Sequence, residues 1–242
     1  MNNMSVLLPI KGKEEPVALN PSKIIALGLN YSDHVKESVF LNSKGLPLDI
    51  PPEPILFAKT PNVLIGNGET IVIPGFIRSD YSFEDLRIDY EAELAVVIGR
   101  QCRRVSKEDA LSFVLGYTCM NDVSMRNFQT TDKSGWFRGK SLDTFGPIGP
   151  VIVPAEEIPD PQNLKITCRL NGETVQDSNT SNMIFSVAET IEFISKQITL
   201  EPGDIVMTGT PSGVGRLKDG DTVEVEIERI GILKNRVAEE SL

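Results

Sequence analysis

Two glutamates stand at the start of an uninterrupted apolar run in this chain. Glu91 and Glu93 precede residues 94–98, which end at Gly99 and are typical of a buried strand. Because side chains alternate along a strand, both carboxylates point to the same face. Neighbouring buried carboxylates repel each other and lose hydration, and a divalent cation bound between them turns the repulsion into attraction. The alternative from this stretch alone is a solvated strand end.

A third carboxylate follows a second predicted strand. Residues 114–120 form an apolar run that ends in Asn121-Asp122. Acids gathered at strand ends form a hard oxygen site, which suits Mg²⁺, Mn²⁺ or Ca²⁺ better than zinc. The chain has one histidine in total, so the sequence excludes a histidine-rich transition-metal site.

That histidine, His34, follows a predicted buried strand over residues 24–29. Ser32 or Asp33 is suited to cap a short helix, in which Glu37 lies at i+3 from His34 and can contact the imidazole. A carboxylate on one ring nitrogen fixes the tautomer and strengthens the other nitrogen as a base. Spacing alone favours the alternative, an exposed helix histidine in an incidental ion pair.

Cationic and amide side chains follow the third acid. Arg126 and Gln129 lie at i+4 and i+7 from Asp122 on a short helix predicted over residues 123–129, and Lys140 follows a polar loop. Cations beside a metal site indicate an anionic substrate, and arginine is suited to a carboxylate. The alternative is a set of salt bridges that neutralise the acids, which explains Arg126 alone better than all of these residues.

Composition narrows the class of protein. A chain of 242 residues with 24% charged residues suits one large domain, and we predict a short N-terminal segment over residues 1–20 and a main domain over residues 21–242. A net charge of −10 disfavours nucleic acid and anionic membranes as partners. No apolar run is long enough to span a membrane, and we expect no signal peptide. Three cysteines without CxxC spacing agree with a reducing cytoplasm.

Strand patterns dominate the rest of the chain. Asn171-Gly172 predicts a hairpin, and residues 186–198 predict an amphipathic helix. The aperiodic, proline-rich segment Ser38–Pro54 predicts a loop, which is either a lid or a disordered crossing. The turn over residues 208–215 matches neither a phosphate loop nor a dinucleotide fingerprint, so its amides either cradle a carboxylate or form a tight structural turn. We expect an α+β, β-rich roll or sandwich with few peripheral helices.

Several short motifs occur together in one order along the chain. In combination they resemble the fumarylacetoacetate hydrolase family, in its acylpyruvate hydrolase and 2-hydroxyhepta-2,4-diene-1,7-dioate isomerase-like branch, from about residue 21 to residue 237. The motifs are Leu27-Gly28-Leu29-Asn30-Tyr31 through His34, Asp89-Tyr90-Glu91-Ala92-Glu93-Leu94, Asn121-Asp122-Val123-Ser124, Gly139-Lys140-Ser141 through Gly149-Pro150, Gln176-Asp177-Ser178-Asn179-Thr180 and Thr208-Gly209-Thr210-Pro211.

The resemblance assigns roles to single residues. It implies Mg²⁺ or Mn²⁺, with Ca²⁺ as a substitute, on Glu91, Glu93 and Asp122. It implies a catalytic group of His34, Glu37 and Lys140, which reverses the preference from spacing for an exposed histidine. It also implies a β-rich roll, a homodimer, and substrate contacts at the positions Arg126, Gln129 and Thr210.

The expected reaction is metal-dependent hydrolysis of a C–C bond in a small β-diketo acid of the acylpyruvate or fumarylpyruvate type, as in the catabolism of aromatic compounds. The metal would hold the enolate while His34 and Glu37 activate water. Family resemblance leaves open isomerisation, tautomerisation or decarboxylation of a 2-oxo diacid of the hydroxymuconate or oxaloacetate type. A more distant alternative is a non-catalytic metal-binding protein, which has no need of His34, Glu37 or Lys140.

Overall fold

The computed structural model describes residues 6–37, 45, 49–133 and 136–241 of the chain. The predicted loop falls largely on residues 38–44 and 46–48, which lie outside the described residues. The strands are β1 Val6–Leu8, β2 Val17–Leu19, β3 Ile24–Gly28, β4 Ile55–Lys59, β5 Leu64–Ile65, β6 Thr70–Ile73, β7 Ile88–Tyr90, β8 Ala92–Ile98, β9 Val114–Asn121, β10 Ser124–Met125, β11 Gly146–Pro154, β12 Lys165–Leu170, β13 Glu173–Asn179, β14 Ile205–Met207, β15 Gly215–Arg216, β16 Thr222–Ile227 and β17 Gly231–Glu239. The α-helices are α1 Ser32–Glu37, α2 Phe76–Asp80, α3 Lys107–Ala110, α4 Arg126–Thr131, α5 Phe137–Lys140 and α6 Val187–Gln197.

A seven-stranded mixed sheet carries the site. Its order is β4-β3-β14-β8-β9-β11-β5, and a five-stranded sheet, β13-β12-β16-β17-β6, packs against it. From the central strand β8, Leu94 and Val96 enter the core shared with the five-stranded sheet, while Ala95 and Val97 enter a second core that the β1–β2 hairpin covers. Because both faces are buried, β8 is apolar throughout after Glu93 and shows no alternation of polar residues.

The seven-stranded sheet is curled. Its edge strands β4 and β5 lie at opposite ends of the strand order, yet the short 3₁₀ turn Pro61–Val63 joins them directly in the chain. The sheet therefore rolls until its two edges approach each other. This confirms the predicted β-rich roll, and it brings the end of β4 to the acids that follow β9.

Local signals predicted several elements well. The predicted hairpin is β12–β13, and Asn171 and Gly172 have φ values of +52° and +86°, as a two-residue hairpin turn requires. Ser186 caps α6 in a reciprocal capping box with Glu189. Ile198, which we expected on the buried face of that helix, follows the last helical residue and is 39% exposed.

Two predictions about neighbouring elements were wrong in detail. The strand predicted to carry both Glu91 and Glu93 begins only at Ala92, because the preceding strand β7 pairs with β10 and β15 in a separate three-stranded sheet. The helix predicted from Val123 begins only at Arg126, since β10 pairs with β7 first.

The acidic stretch before β7 packs on helix α4. It contains the helix α2, and the rings of Tyr81 and Phe83 pack on Phe128 of α4 with centroid distances of 5.0 and 6.0 Å. Sequence polarity hid these aromatic contacts, which hold α4 in place. Among the described residues, no helix has the length and apolarity needed to cross a membrane.

Candidate active site

Strand pairing brings the three predicted metal ligands together. Strands β8 and β9 are antiparallel with Ala92 opposite Asn121, so the start of one strand lies beside the end of the other. The Asp122 N–H donates to the Glu91 carbonyl at 2.9 Å. One carboxylate oxygen from each of Glu91, Glu93 and Asp122 lies within 4.8 Å of the other two, and all three residues are buried.

Two buried lysines contact these acids. Lys140 Nζ lies 2.7 Å from Glu91 Oε2 and 2.6 Å from Asp122 Oδ2, and Lys59 Nζ lies 2.5 Å from Asp122 Oδ1. Burial lowers the pKa of Lys140, but the charges of Asp122 and Glu91 outweigh it and raise the pKa above its usual value, so the ammonium form persists. Lys59 was not among the predicted site residues, and its one visible signal was a cation at the end of an apolar strand.

Glu93 differs from its neighbours because no ammonium or guanidinium group of the described residues pairs with it. It accepts a hydrogen bond from the Gly209 N–H at 2.8 Å. Burial, followed by repulsion from Asp122 and Glu91, raises the pKa of Glu93 well above its usual value. A divalent cation would offset this penalty, and three carboxylate oxygens are a hard donor set, so these residues fit Mg²⁺ or Mn²⁺.

Arg126 and Gln129, one turn apart at the start of α4, both line the cavity. The guanidinium donates from Nε to Asp89 at 2.8 Å, from Nη2 to Glu91 at 2.5 Å and from Nη1 to the Gln129 amide oxygen at 2.9 Å. Arg126 is therefore engaged with the protein's own acids in this conformation. Asp89, which accepts this hydrogen bond from Arg126, was not among the predicted site residues.

His34 and Glu37 lie on α1, at the end of β3. His34 Nδ1 is 3.4 Å from Glu37 Oε1, and the Gly213 N–H donates to the same oxygen at 2.7 Å. Burial raises the pKa of Glu37, but the hydrogen bonds from His34 and Gly213 outweigh it and lower the pKa, which keeps the carboxylate ionised. Because Nδ1 faces Glu37, Nε2 is the ring nitrogen left for a substrate.

The glycine-rich turn after β14 holds two of these acids. Its Gly209 and Gly213 amides donate to Glu93 and Glu37, so the carboxylates that this turn cradles are the protein's own. Both glycines have left-handed φ values, +88° and +96°, and a Cβ at Gly213 would lie 2.1 Å from the Val175 carbonyl oxygen. Glycine is required here by close approach of the backbone.

One cavity connects these groups. It is lined by His34, Glu91, Glu93 and Lys140 together with Thr210 and two aromatic side chains, and its volume is about 30 Å³. The aromatic residues are Phe57 and Trp136, whose rings pack edge to face with centroids 5.2 Å apart. Neither residue was predicted, since an apolar strand residue and a loop tryptophan carry no signal of a pocket wall.

The curled sheet thus gathers acids, cations and a histidine around one small cavity. Residues 23–238 match the family model described as "Fumarylacetoacetate (FAA) hydrolase C-terminal". The chain therefore belongs to the fumarylacetoacetate hydrolase family, as its motifs indicated.

Relatives within this family differ in reaction. The chain is 39% identical to the mitochondrial oxaloacetate tautomerase FAHD2A of Bos taurus, over 97% of this chain and 73% of that protein. It is 37% identical to 5-carboxymethyl-2-hydroxymuconate delta-isomerase from Mycobacterium smegmatis (TM-score 0.79, 93% of this chain and 82% of that chain). It is 29% identical to fumarylpyruvate hydrolase from Pseudomonas aeruginosa, crystallised with Mn²⁺ and pyruvate (TM-score 0.82, 98% and 97%).

Proposed function

We propose that this protein interconverts the keto and enol forms of a small 2-oxo diacid such as oxaloacetate, in a reaction that depends on Mg²⁺ or Mn²⁺. The observation that carries this proposal is the convergence of His34, Lys140, Glu91 and Glu93 on one cavity of about 30 Å³, with the third buried carboxylate, Asp122, beside the two glutamates. A short diacid therefore requires less rearrangement of the pocket than a substrate with a long acyl chain.

Glu91, Glu93 and Asp122 would hold the metal. A bound divalent cation would supply Lewis-acid polarisation of the 2-oxo acid, which makes the neighbouring C–H more acidic. No cationic side chain of the described residues pairs with Glu93, whose pKa is raised, and this supports the assignment. The Mn²⁺ in the crystals of the Pseudomonas relative supports it as well.

The protein's own side chains would then move the proton. His34 Nε2 takes a proton from C3 of the keto acid, while Glu37 holds the imidazole through Nδ1. The Lys140 ammonium donates a hydrogen bond to the 2-oxo oxygen, where negative charge develops, and proton transfer to that oxygen completes the enol. Arg126, Gln129 and Thr210 line the cavity where they can bind the carboxylates of the diacid.

Hydrolysis of an acylpyruvate is the second candidate, and the His34–Glu37 pair supports it as well. His34 Nε2 would accept a proton from water as the water oxygen attacks the distal carbonyl carbon. The C–C bond then breaks, its electron pair passes to C3 of the pyruvate enolate, and the imidazolium returns the proton to C3. The fumarylpyruvate hydrolase relative, which this chain covers almost completely, supports this candidate.

One experiment separates these reactions. The purified protein is given enol-oxaloacetate or fumarylpyruvate with Mg²⁺, Mn²⁺ or a chelator, and loss of enol absorbance and release of pyruvate are recorded. We expect metal-dependent loss of enol absorbance that exceeds any release of pyruvate. His34→Ala should slow tautomerisation about 10²–10⁴-fold, because a positioned general base contributes that much.

The exposed Lys36→Ala on the same helix is the matched control and should behave like the wild type. Decarboxylation of oxaloacetate should fall much less in His34→Ala, since that step needs no proton removed from C3. Rapid pyruvate release from fumarylpyruvate without faster tautomerisation would favour the second candidate. If no 2-oxo acid turns over with either metal, both candidates are wrong.

We propose a homodimer that works in the cytoplasm on a freely diffusing anionic substrate, with neither nucleic acid nor a membrane as partner. Sedimentation velocity of the purified protein at several concentrations tests the dimer, and fractionation of the source cells tests the location. A monomer at all concentrations would contradict the first of these expectations.

A further inference from the structure

Gln176 joins three parts of the molecule that meet at the cavity. It lies on β13 of the five-stranded sheet and is 1% exposed. Its side chain accepts a hydrogen bond from the Ala92 N–H at 3.0 Å, between the two predicted metal ligands Glu91 and Glu93. It donates to Thr210 Oγ1 at 2.9 Å and to the Pro211 carbonyl oxygen at 2.8 Å, in the turn after β14.

The orientation of this amide is fixed by its partners. The Ala92 N–H is a donor and therefore faces the amide oxygen, whereas the Pro211 carbonyl is an acceptor and therefore faces the amide nitrogen. In a flipped amide, the nitrogen would face the Ala92 N–H and the oxygen would face the Pro211 carbonyl. One donor would then face another donor and one acceptor another acceptor inside the core, at a large cost in free energy. Gln176 Nε2 must consequently donate its second hydrogen to the Thr210 hydroxyl.

This orientation determines what Thr210 can do. Its oxygen accepts from Gln176, so its own hydrogen points away from that amide. Thr210 is 2% exposed and lines the cavity beside Glu91, Glu93 and Lys140. Within the part of the chain that the structure describes, the Thr210 hydroxyl donates to no protein acceptor, which leaves its hydrogen for a ligand in the cavity.

We propose that Gln176 is a positioning residue that presets the Thr210 hydroxyl as a hydrogen-bond donor to a carboxylate of the bound 2-oxo acid. The inference rests on the proposed function, because that function supplies the carboxylate. It goes beyond it by assigning ligand affinity to a side chain that touches no ligand. A donor already oriented before binding contributes more than a hydroxyl free to rotate, since less rotational freedom is lost on binding.

A double-mutant cycle tests the inference. Isothermal titration calorimetry measures the dissociation constant of oxalate in saturating Mn²⁺ for wild type, Thr210→Val, Gln176→Glu and the double variant. Valine keeps the shape of threonine and removes the hydroxyl. Glutamate keeps the acceptor for Ala92 but becomes an acceptor for Thr210 as well, which turns the Thr210 hydrogen away from the cavity. Mn²⁺ binding without oxalate is measured for each variant.

Each single substitution should weaken the binding of oxalate about 10- to 100-fold, which is the usual loss for a hydrogen bond to a charged group. The double variant should bind oxalate no more weakly than whichever single variant binds it less tightly, because both changes remove the same donor. The affinity for Mn²⁺ alone should stay within about 3-fold of wild type, and Thr210→Ser should retain most of the oxalate affinity.

Full additivity would overturn the inference, because it would mean that Gln176→Glu acts through its negative charge and not through Thr210. Unchanged affinity in Gln176→Glu would overturn it too. If that variant fails to fold, Gln176→Met replaces it in the cycle; it leaves the Thr210 hydroxyl free to rotate, so we expect a smaller loss that again vanishes in the Thr210→Val background. Gln176→Met binding oxalate like wild type would contradict the inference.

The wild-type titration separates this inference from the proposed function. If wild type with Mn²⁺ binds neither oxalate nor pyruvate, the proposed function fails and the inference fails with it. If wild type binds oxalate and the cycle is additive, the inference alone is wrong. Thermal unfolding of all variants in chelator shows whether a loss of affinity merely follows a loss of folded protein.

Discussion

Two buried carboxylates lie at opposite ends of strand β14 and differ in the hydrogen-bond donors and cations that surround them. Asp204 directly precedes the strand, and Gly209, whose amide holds Glu93, follows it. Asp204 is completely buried and Glu93 is 1% exposed. Asp204 accepts hydrogen bonds from the backbone N–H groups of Ser22, Lys23 and Glu201, from the Ser22 hydroxyl and from the Lys23 ammonium. Glu93 has the Gly209 amide and, among the described residues, no cation in contact.

These environments shift the pKa values of the two acids in opposite directions. Burial raises the pKa of Asp204, but the hydrogen bonds from Lys23, Glu201 and Ser22 outweigh it and lower the pKa below its usual value. Burial raises the pKa of Glu93, and repulsion from Asp122 and Glu91 raises it further. The number of donors and cations around a buried acid thus separates a structural carboxylate from one suited to bind a cation.

The largest expected effect tests the functional side of this comparison. Glu93→Gln should reduce metal-dependent tautomerisation by about 10³-fold or more, because a lost ligand removes several kcal/mol of charge stabilisation. Without metal, the variant should be at least as stable as wild type, since the substitution removes a repelling buried charge. Rates with Mn²⁺ and melting temperatures in chelator measure both. Near-normal activity with bound Mn²⁺ would exclude Glu93 as a ligand.

Lys59 tests whether the acids near Glu93 depend on the buried lysines. Lys59→Met removes the partner of one Asp122 oxygen. Breaking a buried ion pair in this way should lower the free energy of unfolding in chelator by about 3–5 kcal/mol. Mn²⁺ should restore part of this loss, because it replaces the missing positive charge. Urea unfolding with and without Mn²⁺ measures the effect, with exposed Lys36→Met as the control; equal losses in both conditions would contradict it.

A substitution of Asp204 tests whether this carboxylate contributes to stability and not to activity. Asp204→Asn should lower the free energy of unfolding by about 2–3 kcal/mol, because it weakens several charge-assisted hydrogen bonds at once. The rate per folded molecule should stay close to wild type, since Asp204 lies at the opposite end of β14 from Glu93. Urea unfolding and steady-state kinetics on one preparation provide the comparison with Glu93→Gln. A selective loss of Mn²⁺ affinity in Asp204→Asn would remove the distinction between the two acids.

The smallest expected effect is a dependence on pH. Because the pKa of Asp204 is lower in the folded protein than in the unfolded chain, the unfolded chain binds more protons in acid. The stability that Asp204 contributes is therefore fully present above the unfolded pKa and is lost as the pH falls through the folded pKa. The difference in unfolding free energy between wild type and Asp204→Asn should shrink below about pH 4. A constant difference between pH 7 and pH 3 would contradict this linkage.

Sequence alone predicted the elements whose signals are local. The Asn171-Gly172 hairpin and the helix capped by Ser186 depend on backbone preferences and contacts within a few residues. The clustering of the three carboxylates could also be predicted, because acids at the ends of apolar strands are unusual and their side-chain chemistry suits few ligands. The motifs in order predicted the family, which the match over residues 23–238 confirmed.

Tertiary structure alone decided which side chains complete the site. Lys59 reaches Asp122 because the sheet curls, and Gln176 reaches Ala92 and Thr210 because the second sheet packs on the first. Trp136 lines the cavity and packs on Phe57, which belongs to a strand far from it in the sequence. The physical reason is common to all of them: sequence periodicity reports which face of an element is apolar, whereas contacts between distant segments depend on strand order and sheet curvature.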